Sequence, residues 1–199
     1  MTAFLLIRHA MCDPVGRSIA GRQPGLHLND TGRKQAQRLA DRLSRVPLAG
    51  IYSSPLERAM ETAHPIAARH GLDVRVAEGL NEIDFGDWTG RALAELDQIP
   101  DWQRFNTLRG SSSIPAGENM AEVLARALRE LERLRHLHPA PEMRVAVVSH
   151  GDVLRGVVAH LLGVPLDLMH RLEISPASVS TVELTSQAAR LLLFNSTDD

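Results

Sequence analysis

The sequence has little cysteine, few aromatic residues and no long hydrophobic run. Its one cysteine, Cys12, cannot form an internal disulfide, a pattern typical of a reducing compartment, and we expect a cytoplasmic protein. No run approaches the ~20 apolar residues of a membrane span, and the apolar opening at residues 2–7 is too short for a secretory signal. These absences exclude a disulfide-stabilised secreted domain and a helical membrane protein.

An excess of charge of one sign is also lacking. The chain has 22 Lys and Arg against 24 Asp and Glu, a formal net charge of -2. No overall field therefore attracts nucleic acid or an anionic membrane, and we expect neither as a partner. Any anion must be recognised by a few local residues.

What is present is the composition of an ordinary globular protein. The chain has 199 residues, of which 44% are hydrophobic and 23% are charged. This length is enough to bury a core without disulfides or metals, and no internal repeat indicates a solenoid. We expect one domain over residues 1–199.

Short apolar runs typical of buried strands alternate with longer segments of helical spacing. The predicted strands are residues 4–7, 49–53, 72–77 and 144–149, with a closing pair at 179–184 and 191–194. The predicted helices are residues 31–45, 55–71, with Pro55 at the first position, 121–138 and 152–162. This alternation predicts an α/β three-layer sandwich with a mainly parallel central sheet, whose ligands bind at the carboxyl ends of the strands.

Polar side chains of catalytic type follow three of the predicted strands. Arg8 and His9 follow the first strand, Arg58 comes shortly after the second, and His150 follows the fourth. We expect them at one edge of the sheet, because the carboxyl ends of parallel strands meet there. The planar guanidinium groups of arginine bind phosphate oxygens, and a neutral imidazole is a nucleophile. These two arginines and two histidines are therefore suited to phosphoryl transfer.

Residues 80–119 lie between the third strand and the long helix and contain both tryptophans. Their irregular sequence predicts a small lid or insertion over the same edge. Two interpretations of its large apolar side chains stay open: an apolar pocket for a leaving group, or core residues that pack the insertion. These side chains are Ile83, Phe85, Trp88, Trp102 and Phe105.

Motifs over nearly the whole chain resemble those of the histidine phosphatase superfamily, which includes phosphoglycerate mutases and broad-specificity small phosphatases. Residues 6–10 resemble its Arg-His-Gly signature and residues 52–59 its second motif; residues 80–90 resemble its acid segment and residues 149–151 its last motif. The resemblance implies a phosphoglycerate mutase-like fold. It also implies a phosphoric monoester hydrolase that needs no cofactor and acts on small-molecule phosphate esters.

The resemblance implies a role for each matching residue. His9 is expected to take the phosphoryl group as a phosphohistidine. Arg8, Arg58 and His150 are expected to surround the phosphoryl oxygens and offset their charge. Glu82 is expected to be the general acid and base, a role that requires a raised carboxyl pKa.

Other candidate residues lie in loops near the expected site. Asp84, two residues after Glu82, is the alternative general acid. Arg22, Gln23 and Arg109 are predicted substrate contacts, from their place in the sequence alone. We expect no metal, because no cluster of His, Cys, Asp or Glu with metal-ligand spacing is evident.

The sequence departs from the family pattern in three places. Residues 11–16 read Met-Cys-Asp-Pro-Val-Gly where mutases have a Glu-Ser stretch and a downstream asparagine, and we expect one polar phosphate contact of the mutases to be missing. Ala10 replaces the usual glycine after the histidine, which matters only if that position needs a positive φ or very close contact with phosphate. Ile83, Phe85 and Leu93 stand where mutases bind the substrate carboxylate with basic residues that follow the acid glutamate. Mutases also bind it with an adjacent pair of arginines in the insertion, and at that second region this chain has only Arg109. Hydrolysis is therefore favoured over transfer between substrates.

Three alternatives stay open. They are a phosphoglycerate mutase, a specialised phosphatase such as one for α-ribazole phosphate, and a non-catalytic phosphate-binding module. The complete set of arginines, histidines and acid argues against the last, because binding alone would not need Glu82. The sequence leaves the oligomeric state open, with a homodimer as one option.

Overall fold

The computed structural model describes residues 1–13, 17–140 and 144–197. In these ranges the strands are β1 (Thr2–Arg8), β2 (Leu48–Ser53), β3 (Val74–Val76), β4 (Arg144–Ser149), β5 (Val179–Leu184) and β6 (Ala189–Ser196). The helices are α1 (Asp30–Leu43), α2 (Glu57–His70), α3 (Leu93–Leu96), α4 (Pro100–Thr107), α5 (Met120–Leu137) and α6 (Gly151–Leu161). Short 3₁₀ turns lie at Glu78–Leu80, Gly86–Trp88 and Leu166–Arg171. None of the helices in the described residues is long and apolar enough to cross a membrane.

The strands form one sheet in the order β3-β2-β4-β1-β5-β6. The first four are parallel, and β5 pairs antiparallel with both β1 and β6. The predicted sheet, mainly parallel with a closing pair of strands, is confirmed. The carboxyl ends of β1, β2 and β4 consequently lie side by side at one edge.

Helices cover both faces of this sheet. Along β1, Phe4 and Leu6 point into a core shared with α5 and α6, whereas Leu5 and Ile7 point into a core shared with α1 and α2. Both faces of the central strands are therefore buried, which explains why the predicted strands are continuous apolar runs rather than alternating ones. The three-layer α/β sandwich is confirmed.

Local sequence signals set the helix ends. At the start of α1 the Asn29 side chain accepts a hydrogen bond from the Gly32 N–H, and at α5 Asn119 and Glu122 form a reciprocal capping box. The predicted start of α2 at Pro55 is wrong, because α2 begins at Glu57. The residue before that proline, Ser54, uses its side chain at the site described below.

The predicted insertion folds onto the core rather than standing apart from it. Trp88 and Trp102 meet edge to face with ring centroids 5.4 Å apart, and Phe85 and Phe105 do the same at 6.2 Å. These rings and Ile83 are buried in the core that α5 and α6 share. The second interpretation, core packing, is therefore confirmed, and an apolar leaving-group pocket built from these side chains is wrong.

Candidate active site

His9 lies at the end of β1, buried and tied to the neighbouring strand. Its backbone N–H donates to the Ser149 carbonyl at 2.9 Å. Its ring Nδ1 is 2.8 Å from the Ala10 carbonyl, which can only accept, so Nδ1 carries the proton and Nε2 the lone pair. Burial, reinforced by the nearby Arg58 charge, lowers the pKa of His9 to about 3. The ring is therefore neutral at neutral pH, the form that a nucleophile needs.

Ala10 fits its position without strain. It does not adopt a positive φ, and its side chain is fully buried in the core beneath α1 and α2. Its N–H donates to the Thr62 hydroxyl at 3.0 Å. The family's usual glycine is thus not required here by the backbone conformation.

Three buried nitrogen atoms around His9 have no hydrogen-bond partner among the described residues: Arg8 Nε, Arg58 Nη1 and His150 Nδ1. The rings of His9 and His150 are 5.2 Å apart between centroids. One other nitrogen of each guanidinium is held by protein, since Arg8 Nη1 donates to the Ile174 carbonyl at 2.6 Å and Arg58 Nη2 to the Gly21 carbonyl at 2.8 Å. Buried donors are rarely left unpaired, so these three indicate a site for an anion.

The proton on His150 follows from its contacts. Burial, reinforced by the Arg58 charge, lowers the pKa of His150 well below its usual value, so the ring is neutral. Its Nε2 lies 2.7 Å from the Ser54 hydroxyl, and that oxygen already accepts from the Leu56 N–H at 3.4 Å. Among the described residues, the Ser54 hydroxyl proton has no acceptor other than Nε2, so it donates to Nε2 and the ring proton is on Nδ1. His150 thereby presents a donor to the anion site.

Glu82 and Asp84 occupy different surroundings. A Glu82 carboxylate oxygen lies 3.6 Å from His150 Nδ1, and burial raises the pKa of Glu82 to about 7 although Arg58 opposes this. The Asp84 carboxylate is half-exposed, accepts from the Gly86 N–H at 3.0 Å and lies 3.7 Å from Arg22. Glu82 is thus the carboxyl group beside the predicted phosphate ligands.

Gly151 allows α6 to begin close to the Arg8 side chain. A Cβ at this position would lie 3.2 Å from Arg8 Nε and 3.3 Å from Cζ, which is tighter than normal side-chain packing. The positive end of the helix dipole therefore lies beside the anion site.

The structure assigns Arg22 and Arg109 to contacts within the protein. Arg22 donates to the Glu82 carbonyl and to Glu118, both at 2.8 Å. Arg109 is buried over the Phe105 ring, 3.9 Å from its centroid, and pairs with Asp152 at 2.8 Å. Direct contact of these arginines with substrate stays a prediction.

Gln23 also stays a prediction, as an exposed residue in the turn that follows Gly21. Within the described ranges, no group of three or more His, Cys, Asp or Glu could hold a metal ion. Residues 14–16, part of the segment that departs from the mutase pattern, lie outside the described residues.

Sequence reasoning missed several residues that the structure brings to this region. Ser54 lies inside a motif that was noticed, so its neighbourhood carried a signal even though its hydroxyl was given no role. Glu118 and Arg126 carried no signal, because charged residues at the start and on the face of a helix are usually solvated. The structure instead places both behind the Glu82 loop.

A model of the histidine phosphatase superfamily (branch 1) matches residues 4–197. The chain belongs to this superfamily. The prediction of a phosphoric monoester hydrolase is confirmed at the level of the family, and its relatives include enzymes named as phosphatases.

Two curated relatives and one solved structure illustrate the range of named activities in the superfamily. Phosphoserine phosphatase 1 of Hydrogenobacter thermophilus is 35% identical, over 99% of this chain and 93% of its own. A probable phosphoglycerate mutase of Cronobacter sakazakii is 32% identical, over 92% of this chain and 85% of its own. The structure of a mycobacterial glucosyl-3-phosphoglycerate phosphatase has a TM-score of 0.89 at 28% identity, covering 98% of this chain and 99% of its own.

Proposed function

We propose that this protein hydrolyses phosphate monoesters of small molecules through a phosphohistidine on His9, without a metal ion. One observation carries the proposal: three unpaired buried donors surround a neutral histidine. Arg8 Nε, Arg58 Nη1 and His150 Nδ1 match in number the three non-bridging oxygens of a phosphoryl group. Two of these donors are cationic, so they offset the charge of the phosphoryl group in the transition state.

In the first step, the Nε2 lone pair of His9 attacks phosphorus and the bond from phosphorus to the ester oxygen breaks. Glu82 donates its proton to the departing oxygen, so the alcohol leaves as a neutral molecule. The raised pKa of Glu82, about 7, keeps a protonated fraction available near neutral pH. His9 now carries the phosphoryl group.

In the second step, the Glu82 carboxylate removes a proton from a water molecule, and the water oxygen attacks phosphorus. The bond from phosphorus to His9 Nε2 breaks, and its electron pair returns to the ring. Inorganic phosphate is released, and Glu82 is protonated again for the next cycle.

The proposal favours hydrolysis over phosphoglycerate mutase activity. A mutase must hold the carboxylate of its substrate, and the positions concerned are filled by Ile83 and Phe85, which are buried in the core. The one arginine of the second region, Arg109, has Asp152 as its ionic partner. Burial opposes ionisation of Asp152, but Arg109 and Arg155 lower its pKa to about 2, so the pair is charged.

Hydrolysis of para-nitrophenyl phosphate by the purified protein in EDTA tests the proposal. We expect activity in the native protein and a loss of roughly a thousandfold or more in His9→Ala, because that variant lacks the nucleophile. Thermal unfolding of both proteins controls for folding. Full activity in His9→Ala would refute the phosphohistidine, and activity that EDTA removes and magnesium or zinc restores would refute metal independence.

O-phosphoserine, glucosyl-3-phosphoglycerate and α-ribazole phosphate are the first compounds to compare. Interconversion of 3- and 2-phosphoglycerate, measured in parallel, tests the mutase alternative. We expect release of inorganic phosphate to exceed this interconversion. The reverse result would assign the chain to transfer rather than hydrolysis.

A further inference from the structure

The loop that carries Glu82 is held in place by the side chain of Arg126, which lies on helix α5. Arg126, on α5, donates through Nη1 to the carbonyls of Gly79 at 2.9 Å and Asn81 at 2.6 Å. Its Nη2 donates to the Glu82 carbonyl at 2.9 Å. One guanidinium thus binds the carbonyls of three of the four residues from 79 to 82, and in the part of the chain that the structure describes none of these residues lies in a strand.

Two further bonds complete the set. The fourth carbonyl, that of Leu80, accepts from the Ser149 hydroxyl at 2.7 Å, and Ser149 directly precedes His150. The Glu82 carbonyl accepts a second bond, from Arg22 Nε at 2.8 Å. Every carbonyl from residue 79 to residue 82 is therefore bound by a side chain of another segment.

Glu118 joins the two arginines. Its Oε1 accepts from Arg126 Nε at 2.9 Å, and its Oε2 accepts from Arg126 Nη2 at 3.0 Å and from Arg22 Nη2 at 2.8 Å. Oε2 also accepts from the Asp84 N–H at 3.1 Å. Burial opposes ionisation of Glu118, but Arg126 and the other donors lower its pKa, so these are charge-assisted bonds.

The Glu82 side chain itself is weakly anchored by comparison. Among the described residues, its carboxylate accepts one backbone bond, from the Ile83 N–H at 2.9 Å, and approaches His150 Nδ1 only to 3.6 Å. The place of the carboxyl group is therefore set mainly by the backbone that carries it. General acid catalysis requires that group within hydrogen-bond reach of the departing oxygen.

We propose that Arg126, oriented by Glu118, is a positioning residue that holds the general acid Glu82 against the leaving oxygen. The inference rests on the proposed role of Glu82. Arg126 contacts carbonyls and Glu118 rather than the phosphate donors, so its loss should affect protonation of the leaving group more than phosphate binding.

The test measures kcat/KM for two substrates of similar shape, para-nitrophenyl phosphate and phenyl phosphate. Phenolate is the poorer leaving group, so phenyl phosphate depends more on a proton delivered to the leaving oxygen. We expect Arg126→Met to lose at least tenfold more kcat/KM on phenyl phosphate than on para-nitrophenyl phosphate. Inhibition by inorganic phosphate should change less than threefold. Arg129→Met, at an exposed position one turn along α5, removes the same charge and should behave as the native protein.

A double variant separates positioning from general destabilisation. If Arg126 acts through Glu82, then Arg126→Met adds little further selectivity between the two substrates in a Glu82→Gln background. Additive losses, or equal loss on both substrates in the single variant, would overturn the inference. Arg126→Lys keeps the charge but cannot reach all these acceptors, and it should show the same selectivity even if Arg126→Met does not fold.

The two proposals fail in different ways. If Glu82→Gln shows no preference for para-nitrophenyl phosphate, the acid role of Glu82 fails. If Glu82→Gln shows the preference while Arg126→Met and Arg126→Lys fold and do not, the acid role stands and the positioning role is wrong.

Discussion

The two buried histidines of this site, His9 and His150, are both neutral and both carry the ring proton on Nδ1. This shared tautomer makes His9 a nucleophile and His150 a hydrogen-bond donor. In His9 the Nδ1 proton is bound to the Ala10 carbonyl, which frees Nε2 as a nucleophile. In His150 the Nδ1 proton faces the anion site, because Ser54 occupies Nε2. The motifs predicted both histidines, but they could not predict these protons, which depend on a carbonyl and a hydroxyl that only the fold brings close.

Ser54→Ala should disturb the proton on His150. Without the hydroxyl, the ring loses the partner that favours a proton on Nδ1, and we expect a mixture of tautomers together with roughly a tenfold rise in KM. Histidine ¹⁵N chemical shifts report the tautomer directly. Ser53→Ala is the matched control, since the Ser53 hydroxyl donates to the Ser54 carbonyl rather than to the ring. An unchanged His150 tautomer in Ser54→Ala would contradict this account.

The elements of the fold follow closely from the sequence where a periodic pattern meets a cap. Residues 121–138 were predicted as a helix and α5 spans Met120–Leu137, with the Asn119 capping box at its start. The predicted start of α2 at Pro55 was wrong because proline is common at the first position of a helix. In the structure the preceding residue, Ser54, instead contacts His150, and such a tertiary contact cannot be recognised from local sequence. Likewise, the apolar side chains of the insertion could not be assigned to pocket or core without their neighbours.

At the start of α6, Gly151 lies so close to Arg8 that we expect Gly151→Ala to weaken phosphate binding. Gly151→Ala places a Cβ against the guanidinium and displaces the donor that faces phosphate. We expect roughly a tenfold increase in the inhibition constant for inorganic phosphate, about the value of one charged hydrogen bond. Gly156→Ala is the control on the same helix, because its Cβ would lie 3.3 Å from the flexible end of Met120 and 3.9 Å, an ordinary contact distance, from Leu166. Equal phosphate inhibition in both variants would be inconsistent with the proposed contact.

At the scale of the whole molecule, sheet order explains how distant motifs form one site. β1 lies beside β4, and β4 beside β2, so residues near 9, 58 and 150 converge although they are far apart in the chain. The parallel alternation of strands and helices made this convergence predictable. The clamp formed by Arg22, Glu118 and Arg126 was not predictable, because it joins a loop, a helix start and a helix face without any local pattern.

The buried carboxyl group of Glu82 makes the free energy of unfolding depend on pH. The pKa of Glu82 is raised in the folded protein to about 7, above its unfolded value, so the stabilising proton is lost as pH rises through about 7. Glu82→Gln removes this dependence while it keeps the shape of the side chain. We expect the variant to gain on the order of 2 kcal/mol over the native protein between pH 5 and pH 8. Thermal unfolding at both pH values measures this, and an equal change in the two proteins would contradict the raised pKa.

Detection of a phosphoryl group on His9 tests the phosphohistidine mechanism most directly. The native protein and His9→Ala are mixed with para-nitrophenyl phosphate in EDTA, quenched in alkali to preserve phosphohistidine, digested and analysed by mass spectrometry. We expect one added phosphoryl group on the peptide that contains His9, formed within the time of a turnover and absent from the variant. A phosphoryl group on another residue, or turnover as fast in His9→Ala as in the native protein, would contradict the phosphohistidine mechanism.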